Sequence, residues 1–152
     1  MERNKSSGFT DEAFGPPMIG ALLRMPWDRV VRRMLERLHE EGFDDLDTAH
    51  VNLFLYPGPQ GARPSEFAAQ RGMSKQAANY LLGQLERLGY LERRPDAGDG
   101  RSKRIVLTDR GVRAAYTIRD AVRDVEREWE AKLGRDRFAQ LRTLLLELTQ
   151  PA

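Results

Sequence analysis

The chain has 152 residues, 40% of them hydrophobic and 32% charged, which bounds it to one domain able to bury a core of its own. Its formal net charge of +2 decides nothing alone, whereas the absence of cysteine excludes a disulfide framework, thiol redox sensing and thiolate metal sites. No apolar run approaches the roughly eighteen residues of a membrane span, and the opening residues lack the apolar core of a signal peptide; the expectation is a cytoplasmic protein with no membrane partner.

Residues 1–17 are polar, carry Gly and Pro, and read as a flexible arm. Residues 18–152 read as one domain. Ile19, Leu22, Leu23, Val30, Val31, Met34, Leu35 and Leu38 recur at steps of three and four, predicting an amphipathic helix over 19–41. Pro26 lies inside it and predicts a kink or a late start near Met25–Trp27; Gly42 ends it. A short helix is expected over 47–55, with Asp47 as N-cap and Leu53 and Phe54 inward. The stretch from Tyr56 to Gly61, rich in Pro and Gly, reads as a loop.

Pro64 suits the first turn of a helix running to Arg71, with Phe67 and Ala68 buried. Gly72 and Met73 alone separate it from a helix over 74–88 that Ser74 can cap, a connection tight enough for a helix-turn-helix. That second helix divides into an apolar stripe (Ala78, Leu81, Leu82, Leu85, Leu88) and a polar face (Lys75, Gln76, Asn79, Tyr80, Gly83, Arg87). Tyr90–Arg94 and Lys103–Leu107 are strand-like and bracket a turn-rich loop at 95–100, so a basic hairpin follows. Thr108 then caps a helix to Leu133 with Val112, Ala115, Val122, Val125 and Trp129 inward, about 40 Å long at ~1.5 Å per residue. Gly134 breaks it, and a last helix carries Phe138, Leu141, Leu144, Leu145 and Leu148. The expected fold is mainly α with a small β-wing: a winged helix-turn-helix over 47–108, flanked by the helices of 18–42 and 109–150. The apolar stripes of the first and last helices exceed what so small a core can cover. A second copy interleaving across a two-fold axis accounts for them; an intrachain bundle is the alternative.

Charge is unevenly placed. Residues 63–113 hold eleven Lys/Arg against six Asp/Glu, and the remainder fourteen against seventeen, so the basic excess sits on the winged segment. In this geometry the start of the second helix enters the major groove. Gln76 and Asn79 can there pair both the donor and the acceptor of an adenine edge. Lys75 and Arg87 suit phosphates, and Tyr80 a thymine methyl or a phosphate. Ser65 and Ser74 lie at the helix starts, where DNA contact is also expected. Arg101, at the hairpin tip, suits a narrow minor groove; Asp99 can hold its guanidinium or the turn. Arg93, Arg94, Lys103 and Arg104 flank it as phosphate contacts.

The stretch from Ser65 to Gly111 resembles the winged helix of the multiple antibiotic resistance regulator (MarR) family. The family's wing signature is Asp-x-Arg, five residues, Leu-Thr, and a Gly three further on; Asp99, Arg101, Leu107, Thr108 and Gly111 match it. The order of helices fits from about Ile19 to the C-terminus. The resemblance implies a homodimeric regulator of pseudo-palindromic double-stranded DNA, often a repressor, often released by a small aromatic effector bound between the dimer helices and the winged part. The Pro/Gly-rich 56–64 loop, the N-terminal arm and Pro26 depart from it, and the lack of cysteine argues against peroxide-sensing members.

Trp27, His39, His50, Phe54, Tyr116 and Trp129 are candidates to line an effector pocket, although aromatic residues at helical spacing also form plain core. His39 and His50 with Glu40, Glu41 and Asp47 show no repeating ligand spacing, so no metal is expected. No cofactor and no catalysis are expected either: a Gly-rich phosphate loop and a strained serine elbow are both missing. The reading is a ligand-responsive, homodimeric DNA-binding regulator; the alternative is a winged helix that serves as a protein-interaction module and does not bind DNA.

Overall fold

The computed structural model describes residues 15–54, 61–96 and 98–149, without the side chains at 52, 99 and 101. Most of the expected arm, most of the 56–64 loop, and the roles given to Asp99 and Arg101 therefore lie outside the described residues. Among the described residues, six helices and one antiparallel pair of strands occur in the order α1 (Ile19–Glu40), α2 (Thr48–Phe54), α3 (Pro64–Gln70), α4 (Lys75–Arg87), β1 (Leu91–Asp96), β2 (Asp99–Leu107), α5 (Asp109–Leu133) and α6 (Arg135–Thr149). The fold is mainly α with a small wing, as the sequence predicts.

Helix α1 runs unbroken through Pro26, so the expected late start does not occur. Its second half supplies Val30, Val31, Met34 and Leu38 to the core, and the Leu38 carbonyl accepts the N–H of Phe43 at 2.8 Å as the chain turns away. Asp47 caps α2 as expected. Its carboxylate accepts the His50 N–H at 3.0 Å while its own N–H donates to His50 Nδ1 at 3.2 Å, a reciprocal box with histidine in the usual glutamate place.

The two strands pair from Leu91 opposite Leu107 out to Asp96 opposite Asp99, with an irregularity at Pro95/Asp96. Both are longer than the sequence suggests, reaching Asp96 and Asp99 within the loop expected at 95–100. Pro95 is admitted because β1 is an edge strand, where a missing N–H breaks nothing essential. On the other side of β2, Ala62 exchanges both backbone bonds with Ile105, at 3.1 and 2.8 Å. This single-residue third rung has no alternation to betray it in sequence.

Helix α5 corrects one expectation. Of the residues placed inward, Val125 is buried, Ala115, Val122 and Trp129 are half-buried, and Val112 is exposed. The buried row is Gly111, Ala114, Ile118, Ala121 and Val125. Three of the five are Gly or Ala, and a reading weighted towards bulky residues picks the neighbouring row instead. Arg29 and Arg33 then bracket Glu128 at 2.6 and 3.0 Å, clamping α1 to α5. Hydrogen bonding from Arg33 comes first among the causes that hold the Glu128 carboxyl below its ordinary range. In α6 no residue is buried; Leu144 and Leu148 are 51% and 74% exposed, and Ile19 on α1 is 68% exposed. Among the described residues of one chain, nothing covers these side chains.

Gly111 marks the closest approach among the described glycines: a Cβ built there would meet the Tyr90 carbonyl oxygen at 2.0 Å, inside any allowed contact. Backbone against backbone leaves no flexible side chain to yield. Gly111→Ala is expected to destabilise by about 1–3 kcal/mol or more, read as a lower urea midpoint. Gly20→Ala, where nothing lies within 4 Å, is the control and should not lower the midpoint.

Candidate nucleic-acid interface

The reading surface is set by two caps and a turn. Pro64 opens α3, and the Glu66 carboxylate reaches back to accept the Arg63 N–H at 3.0 Å. Gly72, at φ +60°, takes the left-handed conformation that turns the chain, and the Met73 N–H closes onto the Ala68 carbonyl at 3.0 Å. Ser74 then caps α4, its Oγ accepting the Ala77 N–H at 3.1 Å. The Ser74 hydroxyl thus has a structural duty as well as its position at the surface.

Ala78, Leu82 and Leu85 lock the underside of α4, with Leu81 and Leu88 half-buried beside them. Lys75, Gln76, Asn79, Tyr80 and Arg87 are all exposed on the helix, as is Ser65 on α3. The first turn of α4 contains no acidic residue, so the partial positive charge of the helix start is left uncompensated, which favours an approaching phosphate. Glu86, the one carboxylate of α4, is engaged by Arg93 of the wing at 3.1 Å.

In the wing the basic residues fall into two groups. Lys103 and Arg94 are exposed, the latter beside Glu92; Arg93 is held by Glu86. Exposed ion pairs of this kind are worth about 0–1 kcal/mol, so these arginines can trade a carboxylate for a phosphate at little cost. Arg104 differs, because it donates to the Gly61 carbonyl at 2.9 Å and lies 3.7 Å from Asp96, bracing the loop strand against the hairpin.

Asp96 is the centre of the wing, and the sequence assigns it no part beyond that of a turn residue. It is buried, receives Arg63 Nε at 2.7 Å, accepts the Gly98 N–H at 3.1 Å and lies 3.4 Å from Ser102 Oγ. The Asp-x-Gly spacing of an Asx turn was the available signal. The Gly98 N–H first, then Arg63, hold its carboxyl below the ordinary 3.8.

The effector candidates separate. Trp27 and Trp129 meet in a groove of about 470 Å³ between α1, α5 and α6, with Leu22, Val122 and Leu141 on its walls. His50 and Phe54 are buried in the winged core, Phe54 edge-on to Tyr90 with centroids 5.5 Å apart. His39 is exposed near the end of α1, and Tyr116 is exposed beneath the Arg119 guanidinium at 4.7 Å. The six therefore do not form one pocket. Among the described residues no group of three acidic or imidazole side chains could hold a metal, and no helix is long and apolar enough to cross a membrane.

Residues 53–102 match the family model described as the MarR family. No curated protein sequence matches the chain. Among solved structures, apo wild-type MarR from E. coli is similar at 22% identity and a TM-score of 0.65, over 89% of this chain and 99% of that one. MepR of S. aureus in complex with DNA aligns at 20% identity and TM-score 0.67, covering 88% and 97%. The transcriptional repressor CouR, bound to a 23-mer DNA duplex, aligns at 24% identity and TM-score 0.67, covering 88% and 93%. At these identities the likeness establishes the fold.

Asp96 gives this site a signature in acid. A carboxyl held below its ordinary pKa stabilises the fold above that value and ceases to do so as the pH falls through the lowered one. Asp96→Asn is expected to lower the urea midpoint at neutral pH, with wild type and variant converging as the pH drops well below 3.8. A difference that persists unchanged into acid would mean the carboxylate charge plays no part in the wing.

Proposed function

We propose that this chain, whose residues 53–102 match the MarR-family model, is a DNA-binding transcription regulator that acts as a homodimer and responds to a ligand, most simply as a repressor. The observation that carries the reading is the division of α4: its underside is locked into the core, while Lys75, Gln76, Asn79 and Tyr80 stand exposed at its N-terminal end with no acid in the first turn. In this role α4 enters the major groove, Gln76 and Asn79 read base edges, and Lys75, Arg87 and Lys103 hold phosphates. The wing over 95–102, with Arg101, reaches the adjacent minor groove.

The dimer is supported by the uncovered leucines of α6 and the uncovered start of α1, which lie on either side of the Trp27–Trp129 groove. A two-fold pair of reading helices would address half-sites about 34 Å apart, one turn of duplex. Regulation by a ligand is supported by the same groove, whose walls are chiefly aliphatic and indole.

Two measurements test this. Binding to duplex DNA should weaken steeply as salt rises, and replacing Lys75 or Arg87 with Ala should reduce the slope of log affinity against log salt by about one. A flat salt dependence, or no duplex binding at physiological salt, would leave the winged helix as a protein-interaction module. For the dimer, Leu144→Glu should convert a two-fold species into a monomer in sedimentation equilibrium and abolish tight binding to paired half-sites; an unchanged mass would remove α6 from the interface.

A further inference from the structure

A chain of hydrogen bonds runs from the core to the reading face. His50 on α2 is 5% exposed, and its Nδ1 lies 3.2 Å from the Asp47 N–H, which donates to it. Its Nε2 lies 3.3 Å from Gln84 Oε1 on α4. The amide nitrogen of the same Gln84 lies 3.2 Å from the Tyr80 hydroxyl, one turn earlier on α4. Tyr80 itself is 64% exposed among the residues proposed to read DNA.

Resting on the DNA-binding reading above, we propose that Gln84 is a positioning residue that fixes the polarity of the Tyr80 hydroxyl, so that Tyr80 meets DNA as a hydrogen-bond donor. The Asp47 N–H decides the direction. A neutral imidazole carries one hydrogen, and Nδ1 has to keep its lone pair to accept from Asp47. The hydrogen therefore sits on Nε2 and donates to Gln84 Oε1. This orients the amide with its NH2 group towards Tyr80, where it occupies a lone pair of the hydroxyl oxygen. The Tyr80 hydrogen is left to point outward. The competing arrangement puts the hydrogen on Nδ1, facing the Asp47 carboxylate 3.1 Å away, and reverses every later bond. It also sets that hydrogen against the Asp47 N–H, which then loses its acceptor.

A fixed donor on this face selects among base edges. It suits purine N7, guanine O6, thymine O4 or a phosphate oxygen, and is wrong for the amino group of cytosine. Neither His50 nor Gln84 needs to touch DNA to exert this preference.

The test uses the full chain and duplexes selected by it from a random pool. Tyr80→Phe should lower affinity about 3- to 10-fold, the range of one net hydrogen bond. Gln84→Glu keeps the acceptor for His50 but offers Tyr80 a carboxylate, which turns the hydroxyl hydrogen inward. It also adds a charge that repels DNA, so the informative quantity is the coupling between the two changes. Gln84→Glu should cost about 3-fold more or beyond in the wild-type chain than in the Tyr80→Phe variant, that margin being the lower end of one net hydrogen bond. Equal costs overturn the proposal. The 15N shifts of the His50 ring should report a neutral Nε2–H tautomer, and an Nδ1–H tautomer overturns it too. If the wild-type chain selects no duplex, the DNA reading fails and this role with it, while the ring shifts still report separately whether the relay exists.

Discussion

The winged half of the molecule depends on the joint around Tyr90, where α4 ends and α5 begins. The Tyr90 side chain is wholly buried, with Phe54 edge-on to its ring and the Arg110 guanidinium 4.4 Å above it. Its hydroxyl donates to Asp45, which in turn pairs with Arg110 at 2.9 Å. Burial first, then the bond to Asp45, push the phenol above its ordinary pKa, which favours the protonated form that donates to Asp45. The backbone closes the same joint. The Tyr90 carbonyl accepts the Thr108 N–H at 3.0 Å, Thr108 Oγ1 donates to the Gly89 carbonyl at 2.6 Å, and Arg110 donates to the Leu88 carbonyl at 2.9 Å. Three successive carbonyls that follow α4 are thereby satisfied by Thr108 and Arg110 at the start of α5.

The joint gives the Leu-Thr-x-x-Gly spacing a mechanical meaning. Leu107 ends the wing opposite Leu91, Thr108 caps α5 and ties it to α4, and Gly111 is the one residue that lets the Tyr90 carbonyl come so close. Asp96 performs a similar service at the other end of the wing, and Glu128 does so between α1 and α5. The residues that brace the fold and those proposed to read DNA are thus largely separate sets. Arg104 and Ser74 belong to both, the first through Gly61 and the second through the α4 cap. Such overlap means that a loss of binding at either position has to be measured alongside stability before it is assigned to DNA.

Much of this architecture was legible in the sequence because it rests on local rules. Periodicity delimited α1, α4 and α6; Ser74, Thr108 and Asp47 announced their caps; Gly72 announced the turn. The misses came where a long-range contact decides. Ala62 pairs with Ile105 through one residue, too short for any pattern. The strands reach into the loop expected at 95–100, as far as Asp96 and Asp99, and Asp96 is held there by Arg63, thirty-three positions earlier. On α5, the buried Gly111, Ala114 and Ala121 were passed over because small residues carry little hydrophobic signal, and the value of Gly111 lies in admitting the Tyr90 carbonyl, not in its own bulk. For the candidate site, the exposed residues of α4 were readable from their alternation with the apolar stripe. The duties of Asp96, Arg104 and Gln84 were not, since each depends on a partner brought near only by the fold. The effector candidates were least legible: an aromatic side chain looks the same in sequence whether it fills a core, as Phe54 does, or lines a groove, as Trp27 does.

These braces constrain how a signal can travel in the dimer proposed above. The winged unit is tied at Tyr90, at Asp96 and through Ala62, so it has little internal freedom to reshape its reading face. Its path to the groove at Trp27 and Trp129 is α5, which runs unbroken from the Tyr90 joint to Gly134. At ~1.5 Å per residue that helix is about 37 Å long, and a tilt of about 5° at one end moves the other by roughly 3 Å. A displacement of that size is comparable with a whole hydrogen-bond length, enough to take a reading helix out of register with its bases. A ligand in the groove would not need to deform the reading head to release DNA; it would need only to prefer one tilt of α5 over another, and its effect would be limited to the difference between its affinities for the two.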